Sequence, residues 1–134
     1  GYAIRPPALD PADPQHPSGD PKYAGIAGLP ATESLADTLE RVTQWWSEKL
    51  VPELNNEKRV LVAAHGNSLR AMVKFLLGMS EDEIMQYTIP TGPPLAFRLS
   101  DELEVIDHEY LADEAALNAA VNEVKHQASS ETVS

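Results

Sequence analysis

The stretch "VLVAAHGNSLRAMVKFLLG", Val60–Gly78, decides how the rest of the chain is read. Its first part, Arg59 to Ala64 with the arginine before it, is short, apolar on both faces and β-branched at two positions. That pattern predicts a central strand buried on both sides. Its second part places Leu69, Met72, Val73, Leu76 and Leu77 on one helical face, and Gly78 supplies a C-terminal stop. Between the two lie His65, Gly66 and Asn67. A strand that opens into a helix N-terminus is a natural anion site, because the first helical N–H groups lack partners and the helix dipole favours negative charge there. Gly66 carries no side chain to obstruct a ligand, Asn67 offers amide donors, and Ser68 is a candidate cap.

In an open α/β sheet, ligands bind at the carboxyl ends of the strands, where His65 falls. Protonated, His65 can stabilise charge on a transferring phosphoryl group; neutral, it can shuttle a proton. A histidine so placed more commonly serves as a hydrogen-bonded structural residue, and the motif alone leaves both readings open. Ser68 is not the nucleophile of a Gly-x-Ser-x-Gly elbow, because Arg70 stands where the second glycine is required. His16 sits in a proline-rich loop, His108 in a strand beside acids, and His126 in the tail. No histidine pair has metal-ligand spacing, so no metal site is expected.

Upstream, residues 1–31 form a long loop. Seven of the eleven prolines precede residue 31, and "RPPALDPADPQHPSGDPKY" (5–23) excludes helix and central strand. The interspersed Tyr2, Ile4, Leu9, Tyr23, Ile26 and Leu29 predict that this loop packs on the body of the protein. The chain opens on Gly1-Tyr2-Ala3-Ile4 without methionine, and a piece of a longer protein is expected. Leu35, Leu39, Val42, Trp46 and Leu50 make one helical stripe, capped by Thr32 or Ser34, with Pro52 threatening the last turn. Trp45-Trp46 reads as one core ring and one partly exposed ring. Ser80-Glu81-Asp82-Glu83 is a capping box for a short helix to about Tyr87. "LAFRLS" (95–100) and "EVIDHEYL" (104–111) predict a hairpin turning at Ser100–Glu102. The core is thus an α/β segment, 32–111, followed by an acidic, alanine-rich, weakly helical tail, 112–134, that frays at "SSETVS".

The 134 residues suffice for one domain with a real core, and 43% of them are hydrophobic. No apolar run reaches the roughly 18 residues of a membrane span. Cysteine is absent, which fits a cytoplasmic setting and excludes thiolate metal sites. The net charge is −11, and Asp101–Ser134 contributes −8 of it through nine acids against one lysine. A nucleic-acid partner, which needs a basic face, is excluded. A small anionic substrate is not, because a pocket needs only a few local donors.

Three stretches in order, "PPALDPADPQHPSGDPKYAGIAGLPATESLADTLERV", "VLVAAHGNSLRAMVKFLLGMSEDEI" and "IPTGPPLAFRL", resemble the C-terminal half of cofactor-dependent phosphoglycerate mutases, members of the histidine phosphatase superfamily. The resemblance runs from Gly1 to about Ala120. It implies that 1–134 is the C-terminal portion of a single such domain: part of a three-layer α/β/α fold whose central sheet is incomplete. It implies interconversion of 2- and 3-phosphoglycerate through a phosphohistidine in glycolysis and gluconeogenesis, with 2,3-bisphosphoglycerate as priming cofactor and no metal. In such an enzyme the second histidine, His65 here, stabilises the transferring phosphoryl group, and Gly66 and Asn67 contact phosphate or substrate. Homodimers or homotetramers of the complete chain are implied, with no nucleic acid or membrane partner. The Arg-His-Gly motif of the nucleophile does not occur in this chain. The nucleophile, the catalytic glutamate and a substrate-binding arginine pair are expected upstream, and this chain alone is expected to be inactive. A phosphatase of the same superfamily, and a non-catalytic module that binds a phosphorylated ligand, are the alternatives.

Overall fold

A computed structural model describes residues 1–131. The predicted first helix forms as α1 (Leu35–Trp45), a π turn (Trp46–Leu50) and α2 (Val51–Asn55). Ser34 is the cap. Its hydroxyl accepts from the Asp37 N–H while the Asp37 carboxylate accepts from the Ser34 N–H, so two orphan donors are satisfied reciprocally. Pro52 accounts for the π turn. It has no N–H for the Glu48 carbonyl, and its ring presses on that oxygen in a regular helix. The wider turn, closed by Val51 N–H to the Trp46 carbonyl, carries the helix past the obstruction without a break. Trp46 and Leu50 at the end of the stripe are buried, and Leu35, Leu39 and Val42 are half-buried.

Helix α3 (Gly66–Leu77) packs on α1 and buries Ala71 and Val73. Phe75 meets Trp46 edge to face, with ring centroids 5.8 Å apart. Gly78 closes α3 at φ 62°, the left-handed conformation glycine adopts without a Cβ penalty. The Ser80/Glu83 capping box starts α4 (Glu81–Gln86), which inserts the fully buried Ile84. Arg70 of α3 donates to the Ile84 carbonyl and ties the two helices together. Strands β1 (Leu95–Leu99) and β2 (Val105–Tyr110) form the expected antiparallel hairpin. Its register pairs Leu95 with Tyr110 and Phe97 with His108, then shifts by a bulge after Arg98. The loop closes through Ser100 N–H to the Glu104 carbonyl at 2.8 Å. His108 stacks on Phe97 at 5.4 Å, so it packs within the hairpin. Tyr87 and Tyr110 share a hydrogen bond of 2.9 Å between their hydroxyls.

Two expectations are corrected. Arg59–Ala64 is not a strand: it has no regular secondary structure and is almost wholly exposed between α2 and α3, with Leu61 86% accessible. A buried central strand needs ladder partners on both sides and layers on both faces. Among the described residues the sheet contains only β1 and β2. Nor does the proline-rich loop pack broadly. Ile4, Leu9, Tyr23, Ile26 and Leu29 stay exposed, and successive Asp-seeded and Pro-seeded turns make its local structure. Its anchor is at the start. The Ala36 N–H donates to the Tyr2 carbonyl, the Lys74 ammonium lies 5.3 Å from the Tyr2 ring centroid, and Arg5 pairs with Asp37. The tail, expected to be weakly helical, forms α5 (Glu114–Glu131), an 18-residue helix in whose first turn Asp113 accepts from the Ala116 N–H. The helix runs to Glu131, and the rest of "SSETVS", where fraying was expected, lies outside the described residues.

Candidate functional site

Two helix N-termini converge on one open pocket of about 340 Å³. Helix α3 contributes His65, Asn67 and Ser68; helix α1 contributes Glu33, Ser34 and Arg41. Packing of α1 against α3 brings these starts together, so the pocket is a consequence of the apolar stripes behind it.

His65, and not Ser68, is the cap of α3. Its backbone is extended (φ −61°, ψ 148°) and its Nδ1 accepts from the Asn67 N–H at 3.3 Å. A ring nitrogen that accepts a backbone N–H carries no proton, so the neutral ring holds its proton on Nε2. That N–H has no acceptor among the described residues. The Leu69 N–H returns to the His65 carbonyl, while the Gly66 and Ser68 N–H groups take no acceptor among the described residues. Gly66 is exposed, and a Cβ built on it would meet nothing within 4 Å. Asn67 is exposed as well. The arrangement offers backbone N–H, imidazole N–H and amide donors to one volume, which suits a phosphoester anion.

The α1 side was not picked out as a site from the sequence. Arg41 donates from Nη2 to Glu33 Oε2 at 2.6 Å, and both residues line the pocket together with His65. A signal existed: Ser34 and Arg41 are seven residues apart, two turns, and so lie on one face of the helix. Ser34 is itself held from behind. Asp37 Oδ2 accepts from the Ser34 hydroxyl at 2.7 Å and from Arg5 Nε at 2.8 Å. The Arg5 guanidinium, and then Ser34, hold the Asp37 carboxyl well below the usual carboxylate range. Arg70, also within the motif, turns away to α4, and burial pulls its guanidinium below its ordinary value.

The profile of the histidine phosphatase superfamily (branch 1) matches residues 7–107. The chain belongs to the histidine phosphatase superfamily. The fold is an incomplete α/β fold, represented here by helices and a two-stranded sheet. The chain is 48% identical over 128 residues to a protein of Xylella fastidiosa strain M12 named 2,3-bisphosphoglycerate-dependent phosphoglycerate mutase. That alignment covers 94% of this chain and 51% of the relative. Proteins of the same name from strains 9a5c and M23 are 48% and 47% identical over the same extent. The chain spans about half the length of the curated relatives it matches. Among the described residues of this superfamily member, no group of His, Cys, Asp and Glu could hold a metal ion, and no helix is long and apolar enough to cross a membrane.

Proposed function

We propose that the complete protein interconverts 2- and 3-phosphoglycerate as a 2,3-bisphosphoglycerate-dependent phosphoglycerate mutase, and that this chain supplies one wall of its phosphate pocket. The observation that carries the reading is the 48% identity, over 94% of the chain, to proteins bearing that name. The donor set at the start of α3 agrees with it chemically. Phosphoryl transfer asks a protein mainly for positioning and for charge stabilisation. In this reading the Gly66 and Ser68 N–H groups and the Asn67 amide orient the phosphate. The His65 Nε2–H donates to an equatorial phosphoryl oxygen as negative charge spreads over the group in transfer. The same residues would hold 2,3-bisphosphoglycerate, which supplies the phosphoryl group that primes the enzyme. The chain has no Arg-His-Gly motif, so the phosphate-accepting histidine belongs to the remainder of the protein, and this chain by itself does not turn over. Cytoplasmic residence and dimeric or tetrameric assembly of the complete protein complete the proposal.

The test is an assay of the complete protein for 2-/3-phosphoglycerate interconversion with and without 2,3-bisphosphoglycerate. Interconversion that needs the bisphosphate is expected; hydrolysis of phosphate esters without interconversion would replace the reading with a phosphatase. His65→Ala is expected to lower kcat by about 10²–10³, the effect of removing one preorganised donor to a developing charge. A kcat close to that of the unmodified enzyme would make His65 a helix cap and nothing more.

A further inference from the structure

We infer that the proline-rich loop carries a pH-sensitive turn: His16 holds the middle of the loop closed while its imidazole is neutral, and protonation of that ring releases the turn and divides the loop in two.

One turn is built four times between Asp10 and Tyr23. Each begins on a residue with a side-chain acceptor, followed by a proline that presets φ for the second position of the turn. The four starts are Asp10-Pro11, Asp13-Pro14, His16-Pro17 and Asp20-Pro21. In each, the first residue's carbonyl accepts from the N–H three places on, at 2.8, 2.9, 3.0 and 3.0 Å in chain order. Its side chain accepts from the N–H two places on, at 2.8, 2.8, 3.1 and 2.9 Å. The side-chain acceptor is a carboxylate oxygen in three turns and His16 Nδ1 in the fourth. His16 is also a joint between turns. Its N–H closes the Asp13 turn, and its carbonyl and ring open the next.

An imidazole in place of a carboxylate changes the pH at which the acceptor is lost. A ring nitrogen that accepts is unprotonated, so the neutral ring carries its proton on Nε2. Nδ1 takes the Ser18 N–H and lies 2.7 Å from the Ser18 hydroxyl. Once Nδ1 is protonated, the hydroxyl can turn from donor to acceptor. The backbone N–H cannot, and it loses its partner. Imidazoles ordinarily gain a proton about 2.5 pH units above carboxylates. On acidification the His16 turn is thus the first of the four to lose its side-chain bond, while the three Asp turns keep theirs. The bond contributes above the imidazole range and is lost as the pH falls through it. Among the described residues the ring meets Ser18 and no charged group. The acids of the adjoining turns, Asp13 and Asp20, each accept from their own turn, and Lys22 gives its N–H to Asp20. The loop leaves α1 at the Arg5–Asp37 pair and returns to it at Ser34, which lines the pocket. Both ends are fixed at one helix start, and release at His16 gives slack to the span between them.

The chain itself, labelled with ¹⁵N and ¹³C, is titrated from pH 8 to pH 5. The Cε1–H resonance of His16 follows the ring, and the amides of Ala12, Gln15, Ser18 and Lys22 follow the four turns. Solvent exchange of the Ser18 amide, corrected for the intrinsic pH dependence of exchange, is expected to rise about fivefold in step with protonation of the ring, the scale of one lost hydrogen bond. The other three amides are expected to hold steady over the same range. His16→Asp gives the third turn the acceptor of its neighbours and is expected to keep Ser18 protected down to pH 5. His16→Ala is expected to leave Ser18 exchanging fast at every pH. A Ser18 amide indifferent to ring protonation, or one that still responds in His16→Asp, would overturn the inference. So would loss of all four turns together, which places the response in the loop as a whole and not at His16.

Discussion

At the scale of single residues, Asp37 has the most to answer for. One carboxylate closes the capping box of α1 and binds Arg5, joining the proline-rich loop to the helix that walls the pocket. Its folded pKa is depressed, first by the Arg5 hydrogen bond and then by those from Ser34. Glu83 is depressed in the same way by Ser80 at the start of α4. For a depressed carboxylate the sign is fixed. Its contribution is present in full above the ordinary carboxylate range, about pH 4. It drains away as the pH falls through that value toward the folded one. The thermal midpoint of the chain is therefore expected to be level near neutrality and to fall on acidification below about pH 4. Asp37→Asn is expected to lower the neutral plateau and to flatten the acid limb, because the amide keeps an acceptor but neither the charge nor the titration. Circular dichroism melts of both proteins between neutral pH and pH 2.5 decide it. Parallel acid limbs would show that Asp37 does not set the acid sensitivity.

At the scale of elements, what was legible in the sequence follows how local each element's support is. Ser80 and Glu83 bond each other within one turn, so α4 could be read from four residues. The stripe of α1 and the stop at Gly78 are equally self-contained. Arg59–Ala64 fails for the opposite reason: nothing in those six residues makes a strand without flanking strands, and the same composition leaves an exposed run when they are absent. At the candidate site, the His65-Gly66-Asn67 junction was legible because a helix start announces itself. The Glu33–Arg41 wall was not, because it depends on α1 and α3 docking start to start. Just beyond α1, Trp46 is 7% accessible and meets Phe75 of α3, while its neighbour Trp45 is 39% accessible. Trp46→Ala is expected to cost about 3–5 kcal/mol, since it removes a buried aromatic and leaves a cavity between the helices. Trp45→Ala is expected to stay within about 1 kcal/mol. Urea unfolding followed by far-ultraviolet circular dichroism measures both, and equal costs would show that the buried Trp46 ring is no more important to stability than the exposed Trp45 ring.

At the scale of the whole molecule, the balance between covered and uncovered apolar surface sets the behaviour in solution. Five apolar side chains are buried among the described residues: Trp46, Leu50, Ala71, Val73 and Ile84. Against this stand Val60 and Leu61, exposed on the segment 59–64, and Phe75, exposed on α3. The backbone of that segment has no ladder partner, so it presents both an apolar surface and unpaired donors and acceptors to any second copy. Opposing association is the charge of −11, a repulsion that reaches about 10 Å at 0.1 M salt and less at higher salt. The two effects respond oppositely to ionic strength. Self-association of the isolated chain is therefore expected to rise with protein concentration and with added sodium chloride, as screening removes the repulsion and leaves the apolar contact. Leu61→Lys places a charge at the most exposed position of the segment, 86% accessible, where the folded chain has nothing to lose by it. That variant is expected to remain largely monomeric under salt conditions in which the unmodified chain associates. Sedimentation velocity at two salt concentrations separates the cases. If both proteins are monomeric throughout, the segment is not an association surface; if both associate equally, the contact lies elsewhere, and the groove between Trp46, Phe75 and Leu103 becomes the next place to substitute.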